Sequence, residues 1–270
     1  MWSKRKPAPQ DQLLGKLRAN TLRKVYDMDN PCIWSFPPSK LELAEDEVHV
    51  WRASLDLKKE ALDRCASTLS RDEQFRAARF LFPRDRDHFV AARGVLRELL
   101  GKYAVRSPAQ LEFRYGRHGK PTLRAENDES PVRFNLSHSG GLAVYAFARN
   151  RELGIDLEQV RPEFAGENIA ERHFSPQELE EWNRLAPGLR AEAFFLCWTR
   201  KEAYVKARGD GLQTPLASFS VTLTPGQPEE LRSGDSPKWR LHSFQPASGY
   251  AAAIIGEGKD WRLLQWDWQP

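Results

Sequence analysis

The 270-residue chain is poor in cysteine, in methionine and in long apolar runs. Its three cysteines, Cys32, Cys65 and Cys197, are odd in number and scattered. With no CxxC pair, neither a disulfide framework nor a cysteine zinc site is indicated. Reduced thiols fit a cytoplasmic location. Cys197 lies among Phe194, Phe195, Leu196 and Trp198, and buried filler is expected there rather than a nucleophile. No apolar stretch reaches the roughly 18 residues of a membrane span. Met1 to Lys24 carries basic residues but no continuous apolar segment of signal-peptide type. Charge of one sign is also scarce, the net charge being +4. That mild excess favours acidic ligands or an acidic partner surface, but no long Lys/Arg stripe of the nucleic-acid-binding kind occurs. The glycine stretches match neither a P-loop nor a dinucleotide fingerprint. GxSxG, HExxH and the kinase motif set are missing too.

What is present is material for a core. The chain is 40% hydrophobic and 29% charged, with nine tryptophans and fourteen phenylalanines. This length and composition suit one large globular domain or two small ones.

Residues 1–44 read as an N-terminal extension broken by Pro7, Pro9, Pro31, Pro37 and Pro38, with a short helix expected over Leu13 to Tyr26. From Val48 the pattern becomes regular, with a strand expected to Ala53. Ser70-Arg71-Asp72-Glu73 is a capping box opening a helix. A second helix fits Arg86 to Val105. Leu111 to Tyr115 alternates like a strand, and Gly119-Lys120-Pro121 is a turn. Val132 to Leu136 reads as a strand, Ser137 to Gly141 as a polar loop, and Leu142 to Ala148 as the returning strand of a hairpin. The second part repeats this order. Ser175-Pro176-Gln177-Glu178 is another capping box, with proline at the first helical position. Phe89 and Phe194 share the same offset from Ser70 and Ser175. Trp239 to His242 and Tyr250 to Ile255 echo the earlier strands. The pattern predicts an α+β fold of two similar halves, a pseudodimer, over residues 45–152 and 153–270. Each half is expected to pack a small, mainly antiparallel sheet with a long helix. A ligand site is expected between them, and two halves on one chain suggest a monomer.

Two runs carry chemistry. Gly154-Ile155-Asp156-Leu157-Glu158 reads as a half-buried strand with both acids on one face. Trp198 to Lys206 reads as a largely apolar helix with Glu202 and Lys206 stacked one turn apart. Taken singly, the first pair also fits a solvated strand face and the second an ordinary surface ion pair. If helix and strand pack together, three carboxylates and one ammonium meet. Three carboxylates with open positions suit Mg²⁺ held together with a substrate phosphate, and Mn²⁺ suits the same ligands. Ser137-His138-Ser139-Gly140 offers hydroxyls, amides and an imidazole to an anion. Lys120 sits on its turn with a solvated lysine as the plain alternative. Arg71, Arg76, Arg79, Arg84, Arg86, Arg93 and Arg97 give a loosely basic region, of which most are expected to face solvent.

These residues resemble the motifs of the 4′-phosphopantetheinyl transferases, in the large pseudodimeric class. The family's (V/I)-G-(I/V)-D-x-E stands as Leu153 to Glu158. Its (F/W)-(S/C/T)-x-K-E-(A/S)-x-x-K stands as Trp198 to Lys206. Gly119-Lys120-Pro121, Asn135 to Ser139 and Gly209-Asp210-Gly211-Leu212 match three further elements, and the resemblance spans Val48 to Ile255. It implies a function: transfer of the 4′-phosphopantetheine group of coenzyme A to a serine of an apo acyl or peptidyl carrier protein. It implies Mg²⁺ on Asp156, Glu158 and Glu202, with Glu202 and Lys206 as catalytic residues. Arg76, Arg93, Lys120, Pro121, Ser137, His138, Ser139 and Lys206 would contact coenzyme A, His138 at the 3′-phosphate. Some relatives carry lysine where Glu73 stands, and the extension before Val48 is not a regular family feature. Another metal-dependent phosphotransferase or phosphohydrolase, and a non-catalytic carrier-binding module, are the alternatives that the residues leave open.

Overall fold

The computed structural model describes residues 34–124, 130–211 and 214–270. The expected helix over Leu13 to Tyr26, Cys32, and Leu212 of the glycine element lie outside the described residues.

The first part runs β1 (Glu47–Ser54), α1 (Lys59–Thr68), α2 (Arg71–Ala78), α3 (Pro83–Ala104), β2 (Phe113–Tyr115), β3 (Pro121–Leu123), β4 (Val132–Ser139) and β5 (Leu142–Arg149). The second runs β6 (Leu153–Gln159), α4 (Glu167–His173), α5 (Pro176–Arg184), α6 (Pro187–Arg208), β7 (Ser220–Val221), β8 (Leu231–Arg232), β9 (Trp239–Phe244), β10 (Tyr250–Glu257) and β11 (Arg262–Asp267). Both capping boxes form, Ser70 with Glu73 and Ser175 with Glu178, and they open α2 and α5. Each is followed by a 22-residue helix with proline in its first turn, α3 and α6. Each long helix is followed in turn by an antiparallel strand pair, β4–β5 or β9–β10.

Two sheets carry the fold, in the orders β11-β1-β5-β4 and β6-β10-β9. Their strands alternate between two buried faces. On β5, Tyr145 and Phe147 pack with Trp51 of β1 and with Leu96, Leu99 and Leu100 of α3. The intervening Val144, Ala146 and Ala148 turn to the other sheet and meet Ile155, Leu157, Ala252 and Ile254. On β10, Ala251, Ala253 and Ile255 lie in the cluster that holds Phe194 and Tyr204 of α6. The result is four layers, helix on sheet on sheet on helix. The alanines explain why the two sheets approach closely.

Several expectations shift. The polar loop predicted for Ser137 to Gly141 shrinks to Gly140-Gly141, whose φ values of +56° and +92° suit a two-residue hairpin. Ser137, His138 and Ser139 belong to β4, in register with Val144, Ala143 and Leu142. Helix α1 has no counterpart in the sequence reading. Strand β11 leaves the second part of the chain and pairs in parallel with β1. Residues 153–270 therefore also complete the first sheet.

Candidate active site

Strand β6 is the edge of the second sheet and β4 the edge of the first. Side chains stitch them together. Asn135 Oδ1 accepts from the Ile155 amide at 3.0 Å, and Ser139 Oγ accepts from the Gln159 amide at 3.1 Å. Ser137 Oγ donates to Asp156 Oδ1 at 2.9 Å, and Ser139 Oγ donates to Glu158 Oε2 at 2.8 Å. Asn135, Ser137 and Ser139 alternate along β4 and so share one face. That spacing converts an unpaired sheet edge into a polar seam.

Helix α6 lies on this seam because Gly154 has no side chain. A Cβ there would stand 2.1 Å from the Ala203 carbonyl oxygen and 2.4 Å from the Ala207 nitrogen. The close approach brings Lys206 down onto the strand acids. Lys206 Nζ donates to Asp156 Oδ1 at 2.6 Å and to Ser137 Oγ at 3.0 Å. Asp156 is 3% exposed, and its second oxygen, Oδ2, is buried without a hydrogen-bond partner. Burial first, and then the charge of Asp156, pushes the carboxyls of Glu158 and Glu202 above the usual glutamate range, with Lys206 opposing both. The three expected acids thus lie within electrostatic reach of one another. Among the described residues, no three acids, histidines or cysteines form a ready-made metal cluster. The Lys206 ammonium covers Asp156 Oδ1, and Oδ2 is left without a partner.

His138 stands at the open end of β4. The residue is exposed, yet its ring carries a burial penalty, and Lys206, His88 and Arg76 add positive charge around it. Together these hold the imidazole below the ordinary histidine range. Arg76 stacks over the Phe89 ring at 5.3 Å. His88, absent from the expected set, bonds through Nε2 to Asp56 Oδ1 at 2.8 Å. No sequence motif pointed to it: it lies on α3, and its ring comes within 3.7 Å of where a Cβ on Gly141 would stand.

Other expected contacts have partners inside the protein. Arg93 is 8% exposed and its Nε donates to Glu73 Oε1 at 2.8 Å. Arg97 Nε donates to the other Glu73 oxygen at 2.6 Å. Glu73 is therefore a buried anchor, and Arg93 is committed to it. Lys120 Nζ donates to Glu152 at 2.9 Å and to the carbonyls of Leu153 at 3.2 Å and Ala207 at 3.0 Å. It caps the end of α6 while lining, with Pro121, Asn135, Glu202 and Lys206, a cavity of about 290 Å³. On the far side of the acids, Ser139 and Glu158 open into a second cavity of about 240 Å³ walled by Phe164, Ile169, Phe194 and Trp198. Lys201 of the helix motif is wholly buried against Glu178 at 2.7 Å and against the carbonyls of Leu216 and Phe219. Its role is to fix α6.

Residues 152–255 match the 4′-phosphopantetheinyl transferase superfamily, and residues 51–150 match the 4′-phosphopantetheinyl transferase N-terminal family. The 4′-phosphopantetheinyl transferase HetI of Nostoc sp. (strain PCC 7120) is 42% identical over 233 residues, covering 86% of this chain and 97% of HetI. The chain belongs to the 4′-phosphopantetheinyl transferase family. The family member Sfp of Bacillus subtilis (strain 168) is 31% identical over 206 residues, covering 71% of this chain and 89% of Sfp. A holo-(acyl-carrier-protein) synthase of Bacillus anthracis, solved with CoA (3′,5′-ADP), aligns over 39% of this chain and 94% of its own at 21% identity and a TM-score of 0.35.

Proposed function

We propose that the seam between β4, β6 and α6 transfers the 4′-phosphopantetheinyl group of coenzyme A to a serine of an apo acyl or peptidyl carrier protein, releasing 3′,5′-ADP. One observation carries this reading. Three coupled acids and an ammonium lie beside an imidazole ringed by cations. A diphosphate finds counter-charge at Lys206 and at a cation that the acids would hold, and a phosphate monoester finds it at Arg76, with His138 to donate a hydrogen bond.

The donor set fits a divalent cation, because Asp156 Oδ2 is buried and unpartnered and Glu158 and Glu202 are held in mutual repulsion. Asp156, Glu158 and Glu202 would hold Mg²⁺ or Mn²⁺, which when bound supplies counter-charge for a pyrophosphate. Glu202, with its raised carboxyl, is suited to accept the proton of the attacking serine. The new bond forms between the serine oxygen and the β-phosphorus, and the bond to the bridging oxygen of 3′,5′-ADP breaks. Lys206 moves from Asp156 to that leaving phosphate and offsets its charge. Ser137 holds Lys206 and Asp156 in line, and Ser139 does the same for Glu158. Lys120 and Pro121 border the adenosine side of the cleft.

The reading includes a pseudodimer acting as a monomer in the cytoplasm, without nucleic acid or membrane. The twofold recurrence of capped helix, long helix and strand pair supports the pseudodimer. Among the described residues no helix is long and apolar enough to cross a membrane. The test is incubation with coenzyme A, Mg²⁺ and apo acyl carrier protein, read by intact mass. Gain of one phosphopantetheinyl group on the carrier supports the proposal. Phosphate release with an unmodified carrier points instead to a hydrolase.

A further inference from the structure

The two sheets meet through small apolar side chains, Val144, Ala146 and Ala148 of β5 with Leu157 of β6 and Ala252 and Ile254 of β10. Such a layer holds the sheets together but gives no direction along the strands, because apolar burial is not directional. Polar contacts supply the direction. Along the seam they are the bonds of Asn135, Ser137 and Ser139 to β6. A further one lies beyond the seam, at the Gly140-Gly141 turn, and the proposed chemistry makes no use of it.

That turn follows β4, the strand that carries Ser137, His138 and Ser139. Both of its carbonyls are taken. The Gly141 oxygen accepts from the Leu55 amide at 2.8 Å, a contact within the first part of the chain. The Gly140 oxygen accepts from the Tyr250 hydroxyl at 2.7 Å, a contact from the second part. Tyr250 opens β10 and stands directly opposite Gln159, the last residue of β6. Directly opposed residues share a face of the sheet. Leu157 and Ala252, each two positions along its strand, lie in the layer between the sheets, so Tyr250 and Gln159 point toward the first sheet. Together they grip the turn. A Cβ on Gly140 would stand 2.4 Å from Gln159 Oε1 and 3.0 Å from the Tyr250 hydroxyl. Gln159 is itself held, its Oε1 accepting from Arg161 Nε at 3.0 Å and from Nη2 at 2.7 Å.

The hydroxyl is the part of Tyr250 that matters here. Burial keeps the phenol above the usual tyrosine range, so it remains protonated and donates. The bond goes to the backbone of the turn and not to a side chain of the site. A phenylalanine would keep the ring and lose only this tie.

We propose that Tyr250 is a positioning residue whose bond to Gly140 sets where His138 stands relative to Asp156, Glu158 and Lys206, and thereby tunes recognition of the 3′-phosphate of coenzyme A. This rests on the function proposed above. A coenzyme A reaches from the acids and Lys206 on the second part to His138 on the first, so the span between the parts is a binding parameter. Tyr250 acts on that span through the turn.

The experiment is steady-state transfer to apo acyl carrier protein by the parent and by Tyr250→Phe, with coenzyme A and with 3′-dephospho-coenzyme A as donors. Circular dichroism and melting confirm that the variant is folded. The parent should prefer coenzyme A in kcat/KM. Tyr250→Phe should lower that preference about two- to tenfold, the range that one hydrogen bond supports. The change should appear as a raised KM for coenzyme A, with KM for the dephospho donor and kcat with either donor unchanged. Loss of folded enzyme would instead lower the rate with both donors alike. A preference equal to the parent's in folded Tyr250→Phe, or an equal fall with both donors, overturns the positioning role and leaves the proposed function intact. A parent that loads the carrier equally well from both donors overturns the positioning role together with the His138 contact. A parent that loads no carrier from either donor overturns the proposed function itself.

Discussion

Asp156 accepts from both Ser137 and Lys206 on one oxygen and keeps the other unanswered. Asp156→Asn preserves its size and the Ser137 contact but removes its charge. Transfer is expected to fall roughly 10²–10³-fold, with the melting curve close to that of the parent; a turnover equal to the parent's would remove Asp156 from the chemistry. A second residue-scale prediction concerns Glu192 on α6. One of its oxygens is buried without a partner, and burial pushes its carboxyl up to about 7. In the unfolded chain it titrates near 4.3, roughly the model-peptide value. The folded state therefore binds the proton more tightly. The stability present below that unfolded value is lost as pH rises toward about 7. Glu192→Gln should match the parent at pH 4 and exceed it by roughly 1–3 kcal/mol at pH 8. Denaturant melts at the two pH values check this, and an equal difference at both would refute the burial argument.

At the scale of elements, the site depends on how closely α6 approaches β6. Gly154→Ala puts a methyl into the backbone of α6, so the helix must move or the strand must bend. A loss of roughly 1–3 kcal/mol is expected, with transfer falling further than stability alone would explain; thermal melts and kinetics on one sample separate the two effects. The two long helices are anchored alike. Glu73 receives Arg97, and Glu178 receives Lys201, each cation at the same turn counted from Pro83 or Pro187. Lys201→Met leaves Glu178 buried and unpaired and should cost about 3–5 kcal/mol, read as a lowered denaturant midpoint. A near-neutral effect would show that Glu178 is satisfied by its amide contacts alone.

The motif strand and helix were legible because period and charge agreed. Asp156 and Glu158 share a face of β6, and Glu202 and Lys206 share a face of α6, as spacing requires. The capping boxes announced α2 and α5 in the same way. Ser137 to Ser139 read as loop because their polarity masks a strand whose side chains bond across to another sheet. The ion pairs of Arg93 and Lys201 join residues far apart in sequence, so a local reading does not reveal them. His88 comes from α3, about fifty residues before the β4–β5 turn, so only the packing of that helix beside Gly141 reveals it.

The whole molecule is four layers tied by two crossings. The β4–β6 seam carries the site, and β11 returns from the end of the chain to complete the first sheet beside β1. Neither part closes its own sheet edges, so denaturant unfolding is expected as one transition by fluorescence and circular dichroism; two separated transitions would show that the parts are autonomous. The most direct measurement is carrier loading and coenzyme A binding by the parent, Asp156→Asn and Lys206→Met, taken on the same preparations with Mg²⁺. The parent should load the apo carrier, and both variants should bind coenzyme A within a few-fold of the parent while loading slowly or not at all. Loading at the parent's rate by either variant, or a parent that binds coenzyme A and leaves the carrier unmodified, would contradict the assignment of the seam.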